Sequence, residues 1–136
     1  MIAPSVGKGA PTVQGIIMPA TCPSDPFERG IAHFNAREFF QAHEVWEELW
    51  LRAPAQEKAF LQGIIQIAAA FHHYRRGNLR GAKSLVAAGV AKMSQYPDGY
   101  RGIDAARLAR EARDWIDALA GQPGELRQWP QVHRIR

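Results

Sequence analysis

The stretch Phe39-Phe40-Gln41-Ala42-His43-Glu44-Val45-Trp46-Glu47-Glu48-Leu49-Trp50 decides how this chain is read. Set on a helix at ~100° per residue, Phe39, Phe40, Trp46 and Trp50 all fall within about 60° of His43. Glu38, Gln41 and Glu48 take the outer face. This is an amphipathic helix, expected over about residues 37–51 and stopped before Pro54. His43 stands at the centre of its aromatic stripe. Glu47 lies one turn on, beside it, and Glu44 lies on the border.

Helix signals recur on both sides of this stretch. Ser24 or Asp25 can cap a first helix, with Pro26 and Glu28 in its first turn and Phe27, Ile31 and Phe34 on its apolar face. Asn35 and Ala36 then break it. A third helix is expected over about residues 55–76, with Arg75 and Arg76 in its last turn and Gly77 where a left-handed residue is wanted. Asn78 can cap a fourth over about 79–95. Pro97, Asp98, Gly99 and Gly102 make a loop. Asp104 caps a fifth over about 105–120, closed by Gly121. No run shows strand alternation with turn punctuation. Short connections predict antiparallel neighbours. The predicted fold class is therefore all-α: a single compact bundle of about five helices over residues 24–121. A Gly/Pro-rich flexible arm, 1–23, precedes it and an irregular basic tail, 122–136, follows. Trp129, Val132 and Ile135 are the tail residues suited to docking on the bundle.

Composition agrees with one soluble domain. The chain has 136 residues, 46% hydrophobic and 22% charged, which excludes global disorder, a collagen-like chain and a polytopic membrane protein. Its one cysteine, Cys22, allows no internal disulfide and no cysteine-rich zinc cage. A reducing, cytoplasmic setting is expected. Lys8 is the only charge in residues 1–23, and Pro11 and Gly15 interrupt any secretory apolar run, so no signal peptide is read there. Met1 and Met18 both stand as start codons. No apolar run reaches the ~18–20 residues that span a bilayer. The net charge is +4, with five Lys/Arg against seven Asp/Glu in residues 1–74 and twelve against six in 75–136. Arg107, Arg110 and Arg113 alternate with Glu111, Asp114 and Asp117, which reads as a solvated helix face. Nucleic acid is not an expected partner.

The chemistry concentrates where charge meets the apolar stripe. A buried carboxylate needs a charge partner, a hydrogen bond or a metal. On the third helix Gln62, Gln66, Ala69 and His73 form one column beside the core residues Phe60, Ile64, Ile67 and Phe71. If the second and third helices are antiparallel, that column can face His43 and Glu47. His43, Glu47 and His73 would then form a two-histidine, one-carboxylate metal site of the kind that suits zinc or iron. Glu44 is the candidate fourth ligand or general base. The competing reading is structural: His43 and Glu47 pair at i, i+4, and Gln62 and Gln66 bond across helices. His72 reads as a surface neighbour of His73. No Gly-x-Ser-x-Gly elbow and no Gly-rich phosphate loop is present.

The runs Phe34–Trp50 and Phe60–Ala70, then His73-Tyr74-Arg75-Arg76-Gly77-Asn78, Gly81-Ala82 and the loop Tyr96–Asp104, resemble the family catalogued as domain of unknown function 309. The resemblance covers about residues 27–104. It implies a small all-helical protein of a family sometimes labelled a metal-dependent hydrolase. The matching motif positions are His43, Glu44, Glu47, Gln62, Gln66 and His73. The expectation is hydrolysis of a small-molecule substrate with a divalent metal (zinc, iron, nickel or manganese) on His43, Glu47 and His73. Glu44 would be the catalytic base, and Gln62 and Gln66 would orient ligands or substrate. Arg101 would hold an anionic group if its loop folds over the site. The alternative is a non-enzymatic helical binding or interaction module whose His/Glu/Gln cluster sets helix register. Tryptophans exposed on the second helix or tail would support a homodimer.

Overall fold

A computed structural model describes residues 25–121 and 129–134. The expected flexible arm, the start of the tail and its last two residues, with the docking candidate Ile135, lie outside the described residues. Five α-helices follow in order: α1 Pro26–Asn35, α2 Phe39–Arg52, α3 Ala55–Arg75, α4 Leu79–Met93 and α5 Ala105–Gly121. A 3-10 turn, Tyr100–Gly102, leads into α5. The described residues hold no strand, only an isolated bridge between Ile103 and Arg134. None of these helices is long and apolar enough to cross a membrane.

Helices α1, α4 and α5 begin on side-chain caps, that of α5 being Asp104 Oδ1, which accepts from Arg107 N–H. The Asp25 carboxylate accepts from Glu28 N–H, and Asn78 Oδ1 accepts from Gly81 N–H. Two of them end alike. At the end of α3, Gly77 N–H donates to Tyr74 O and Asn78 N–H to His73 O, with Gly77 left-handed at φ 88°. At the end of α1 the same pair of bonds runs from Arg37 N–H to Phe34 O and from Glu38 N–H to His33 O. Arg37 holds the glycine position, at φ 66°. The helix expected from residue 37 therefore starts two residues later, at Phe39, because a left-handed Arg37 cannot sit inside an α-helix. The fourth helix also stops early, at Met93.

Consecutive helices pack on each other, with α3 against α4 the most extensive pairing. Phe27, Phe34, Phe39, Trp46, Phe60 and Phe71 fill the centre. Trp46 Nε1 donates to Phe27 O at 3.2 Å, and a Cβ on Gly30 would come within 2.0 Å of that nitrogen. Only glycine lets α1 lie so close to the indole.

The described end of the chain returns to the bundle. Trp129 packs on Trp115 with ring centroids 4.2 Å apart, and Val132 is buried. Asn35 holds Val132 by both backbone groups, its Nδ2 donating to Val132 O at 3.1 Å and its Oδ1 accepting from Val132 N–H at 2.8 Å. Asp104 N–H donates to His133 O, and Arg134 pairs with Glu28.

Candidate functional site

Helix α2 buries Phe39, Ala42 and Trp46, a narrower face than the aromatic stripe suggested. Phe39 and Trp46 define its axis, which leaves His43 on the flank. Glu47 and Glu44 point further out, with the Glu47 side chain 57% exposed and that of His43 27% exposed. The buried carboxylate expected at Glu47 is thus a solvated one. The error lay in counting Phe40 as core, for it is 45% exposed. His43 Nε2 stands 3.9 Å from Glu47 Oε2, within ion-pair reach but beyond a hydrogen bond.

The α2–α3 hairpin has its register set by two contacts. Phe40 meets His72 at 5.2 Å between ring centroids, and Lys58 Nζ donates to Trp50 O at 2.8 Å. The two helices are therefore antiparallel, and His43 lies level with the segment of α3 between Gln66 and His72. Phe40 stacks on His43, with centroids 6.1 Å apart and planes 19° from parallel. The histidine that shares a wall with His43 is thus His72, which sequence reading left as a surface neighbour. His73 stands beside His72, with ring centroids 6.1 Å apart. Burial holds His72 below the ordinary histidine range, helped by the charges of Arg76, His73, His43 and Arg75.

Three buried atoms along this seam have no hydrogen-bond partner among the described residues: His43 Nδ1 and Trp50 Nε1 on α2 and Gln66 Oε1 on α3. Leaving such an atom unpaired costs roughly 1–3 kcal/mol. Gln62, one turn before Gln66, is exposed. The described residues contain no group of three or more His, Cys, Asp or Glu side chains placed to hold a metal ion. His43 and Glu47 make a pair, whereas a catalytic zinc takes three protein ligands. The protein groups gathered here do not fit such a centre.

Arg101 is committed elsewhere. Its Nη2 and Nε donate to Glu57 Oε1 at 2.8 and 3.2 Å, and its guanidinium lies 4.8 Å from the Phe27 ring centroid. Glu57 is in the first turn of α3 and His73 in the last, ~24 Å apart along the axis. The loop closes over the far end of α3 from the histidines. Trp46 and Trp115 are buried, and Trp50 and Trp129 are half-buried.

These features define a small all-helical protein with a half-polar seam between its second and third helices. Residues 27–85 match the family described as a domain of unknown function (DUF309), and the chain belongs to that family. A crystal structure of a conserved hypothetical protein from Thermus thermophilus is similar at 31% identity and a TM-score of 0.61, over 72% of this chain and all of that one. An uncharacterized protein of Aquifex aeolicus is 29% identical over 69% of this chain. The uncharacterized protein YpuF of Bacillus subtilis is 42% identical over 42% of this chain. The matched segments span only 29% and 34% of those two relatives.

Proposed function

We propose that the α2–α3 seam binds a small polar molecule and hydrolyses it by acid–base chemistry centred on His43. The observation that supports this is the pair of unpartnered buried atoms, His43 Nδ1 and Gln66 Oε1. A protein that gains nothing from them would be more stable with apolar side chains in their place. In a neutral imidazole one nitrogen donates and the other accepts. Glu47 lies on the Nε2 side and favours a proton there. Nδ1 is then the acceptor, turned inward: it takes a proton from the water whose oxygen bonds to the substrate's electrophilic centre, and the imidazolium returns that proton to the leaving group as the scissile bond breaks. Glu47 stabilises the imidazolium that results, and tightening of the 3.9 Å contact accompanies substrate binding. Gln66 Oε1 accepts a hydrogen bond from the substrate. Glu44 is exposed one residue along the helix.

The test is His43→Leu, measured for melting temperature and for turnover of a panel of nitrophenyl acetate, phosphate and glycoside substrates. The expected result is loss of turnover with an unchanged or raised melting temperature. A melting temperature several degrees lower, or turnover equal to the parent protein, overturns the proposal.

A further inference from the structure

A second feature lies beside the His43 seam and does not depend on it. A cavity of about 580 Å³ opens between the α1–α2 corner and the C-terminal end of α3. That volume lies within the ~300–1,000 Å³ range of small-molecule sites. Three arginines, Arg37, Arg75 and Arg76, line it, against the single carboxylate of Glu38. That carboxylate is already engaged, its Oε1 2.8 Å from His33 Nδ1. Arg75 is held in place: its Nη1 donates to Arg37 O, and its guanidinium lies 5.8 Å from the centroids of both Phe39 and Trp129. Arg37 and Arg76 make no ion pair with any described residue. The excess positive charge thus has no protein counter-ion among the described residues.

The conformation of Arg37 sharpens the point. A left-handed position at a helix end suits glycine, and an arginine there costs roughly 1 kcal/mol. Strain of this kind collects where a side chain is needed for something other than stability. The first intrahelical bond of α2 is Ala42 N–H to Glu38 O, and the Glu38 side chain does not cap the helix. The backbone N–H groups of Phe39, Phe40 and Gln41 therefore add to the positive field. One wall of the cavity carries two rings, Phe40 and His72, with centroids 5.2 Å apart and planes 41° from parallel, so that each offers its own face to a ligand.

We infer that this cavity binds a phosphorylated small molecule carrying a planar ring, of about mononucleotide size. Phosphate matches forked guanidinium donors, and the ring packs on Phe40 and His72. Adenosine monophosphate, adenosine and inorganic phosphate are the probes, titrated separately into the full chain at low salt. Binding is read by calorimetry and by the NMR titration of the His72 imidazole. The groups facing His72 are Arg75, Arg76 and His73 from α3 and His43 and Phe40 from α2, with Arg37 and Glu38 across the cavity. An anion there offsets the arginines and moves the His72 titration to higher pH. The expected result is saturable binding of the monophosphate with that upward movement. Arg76→Ala and Arg37→Gly each weaken it about tenfold or more, while far-UV circular dichroism stays as in the parent protein. Equal binding in both variants, or no movement of His72, overturns the inference. So does inorganic phosphate binding as tightly as the nucleotide, which removes the planar part. Tighter binding of a short single-stranded oligonucleotide overturns the small-molecule assignment.

Discussion

Gly63 of α3 and Gly89 of α4 face each other backbone to backbone. A Cβ added to Gly63 would stand 2.8 Å from Gly89 O, and one added to Gly89 would stand 2.5 Å from Gly63 O. Both glycines are buried; side-chain carbons of Met93 and Ile67 also stand in the way, but the backbone oxygens cannot swing aside. The close approach lets Ile64, Ile67, Val86 and Val90 fill the core around it. Gly63→Ala or Gly89→Ala is expected to force the helices apart and cost about 1–3 kcal/mol. Urea denaturation of each variant measures this, and a stability equal to the parent would show that α4 slides without cost.

Arg37→Gly is expected to change stability in the other direction. The residue sits at φ 66°, is exposed, and has its side chain in no hydrogen bond or ion pair. Glycine adopts that conformation freely, although it adds entropy to the unfolded chain. The net expectation is a gain of about 0.5–1 kcal/mol, read by the same denaturation. A loss would mean that the arginine itself holds the α1–α2 corner.

Much of the architecture was legible because helices write themselves in periodicity and caps. Asp25, Asn78 and Gly77 each perform the capping role their residue types suggest. Arg37 was not legible, since only its backbone reveals that it fills a glycine's place. The candidate site was legible in part. His43 and Glu47 are near each other because i, i+4 spacing places them so. Their burial was misjudged because aromatic residues were counted as core. Phe40 is instead a half-exposed wall, and the buried axis runs through Ala42. His72 was missed for a related reason: its place is set by the contact with Phe40, a register between helices that a single-helix projection does not contain. The Gly63–Gly89 approach is likewise a register between helices, which neither helix's own periodicity contains.

The Arg101–Glu57 pair is expected to hold the Tyr96–Ile103 loop on the bundle. Both side chains are about a quarter exposed, and the guanidinium also covers Phe27. Tyr100 packs on Phe60 and Tyr96 in the same place, where burial and then Glu57 raise its hydroxyl above the ordinary range. Glu57→Gln is expected to cost about 1–2 kcal/mol, and Arg101→Lys a similar amount because a lysine cannot cover the ring and bond the carboxylate together. Amide hydrogen exchange of residues 98–103 should quicken in both variants. Unchanged protection would place the loop's anchorage in its aromatic residues.

His72 makes stability depend on pH with a definite sign. Its pKa is lowered in the folded protein by burial and by Arg76, His73, His43 and Arg75. The unfolded chain therefore takes up the proton first as pH falls below about 6.5. The stabilisation from the neutral imidazole is complete above that value and is lost as pH falls through the lower folded pKa. Denaturation midpoints at pH 7.5, 6.5 and 5.5 should decline, and His72→Gln should flatten the decline. An unaltered slope in the variant would assign the acid sensitivity to other groups.

Metal binding should be weak for a geometric reason. His43 and Glu47 offer two ligands on one turn of α2, and no group of three suitable side chains gathers among the described residues. Two ligands leave an ion largely dependent on water, which a tight zinc site is not. Zinc, iron, nickel or manganese added to the purified protein is expected to be lost on one desalting step. The melting temperature should rise by no more than a degree or so at equimolar metal, since a loosely held ion adds little linkage energy. His43→Ala and His73→Ala should leave metal content alike. Near-stoichiometric metal that survives desalting and disappears in both variants would instead establish a centre on His43, Glu47 and His73, and would require α2 and α3 to rearrange around the ion.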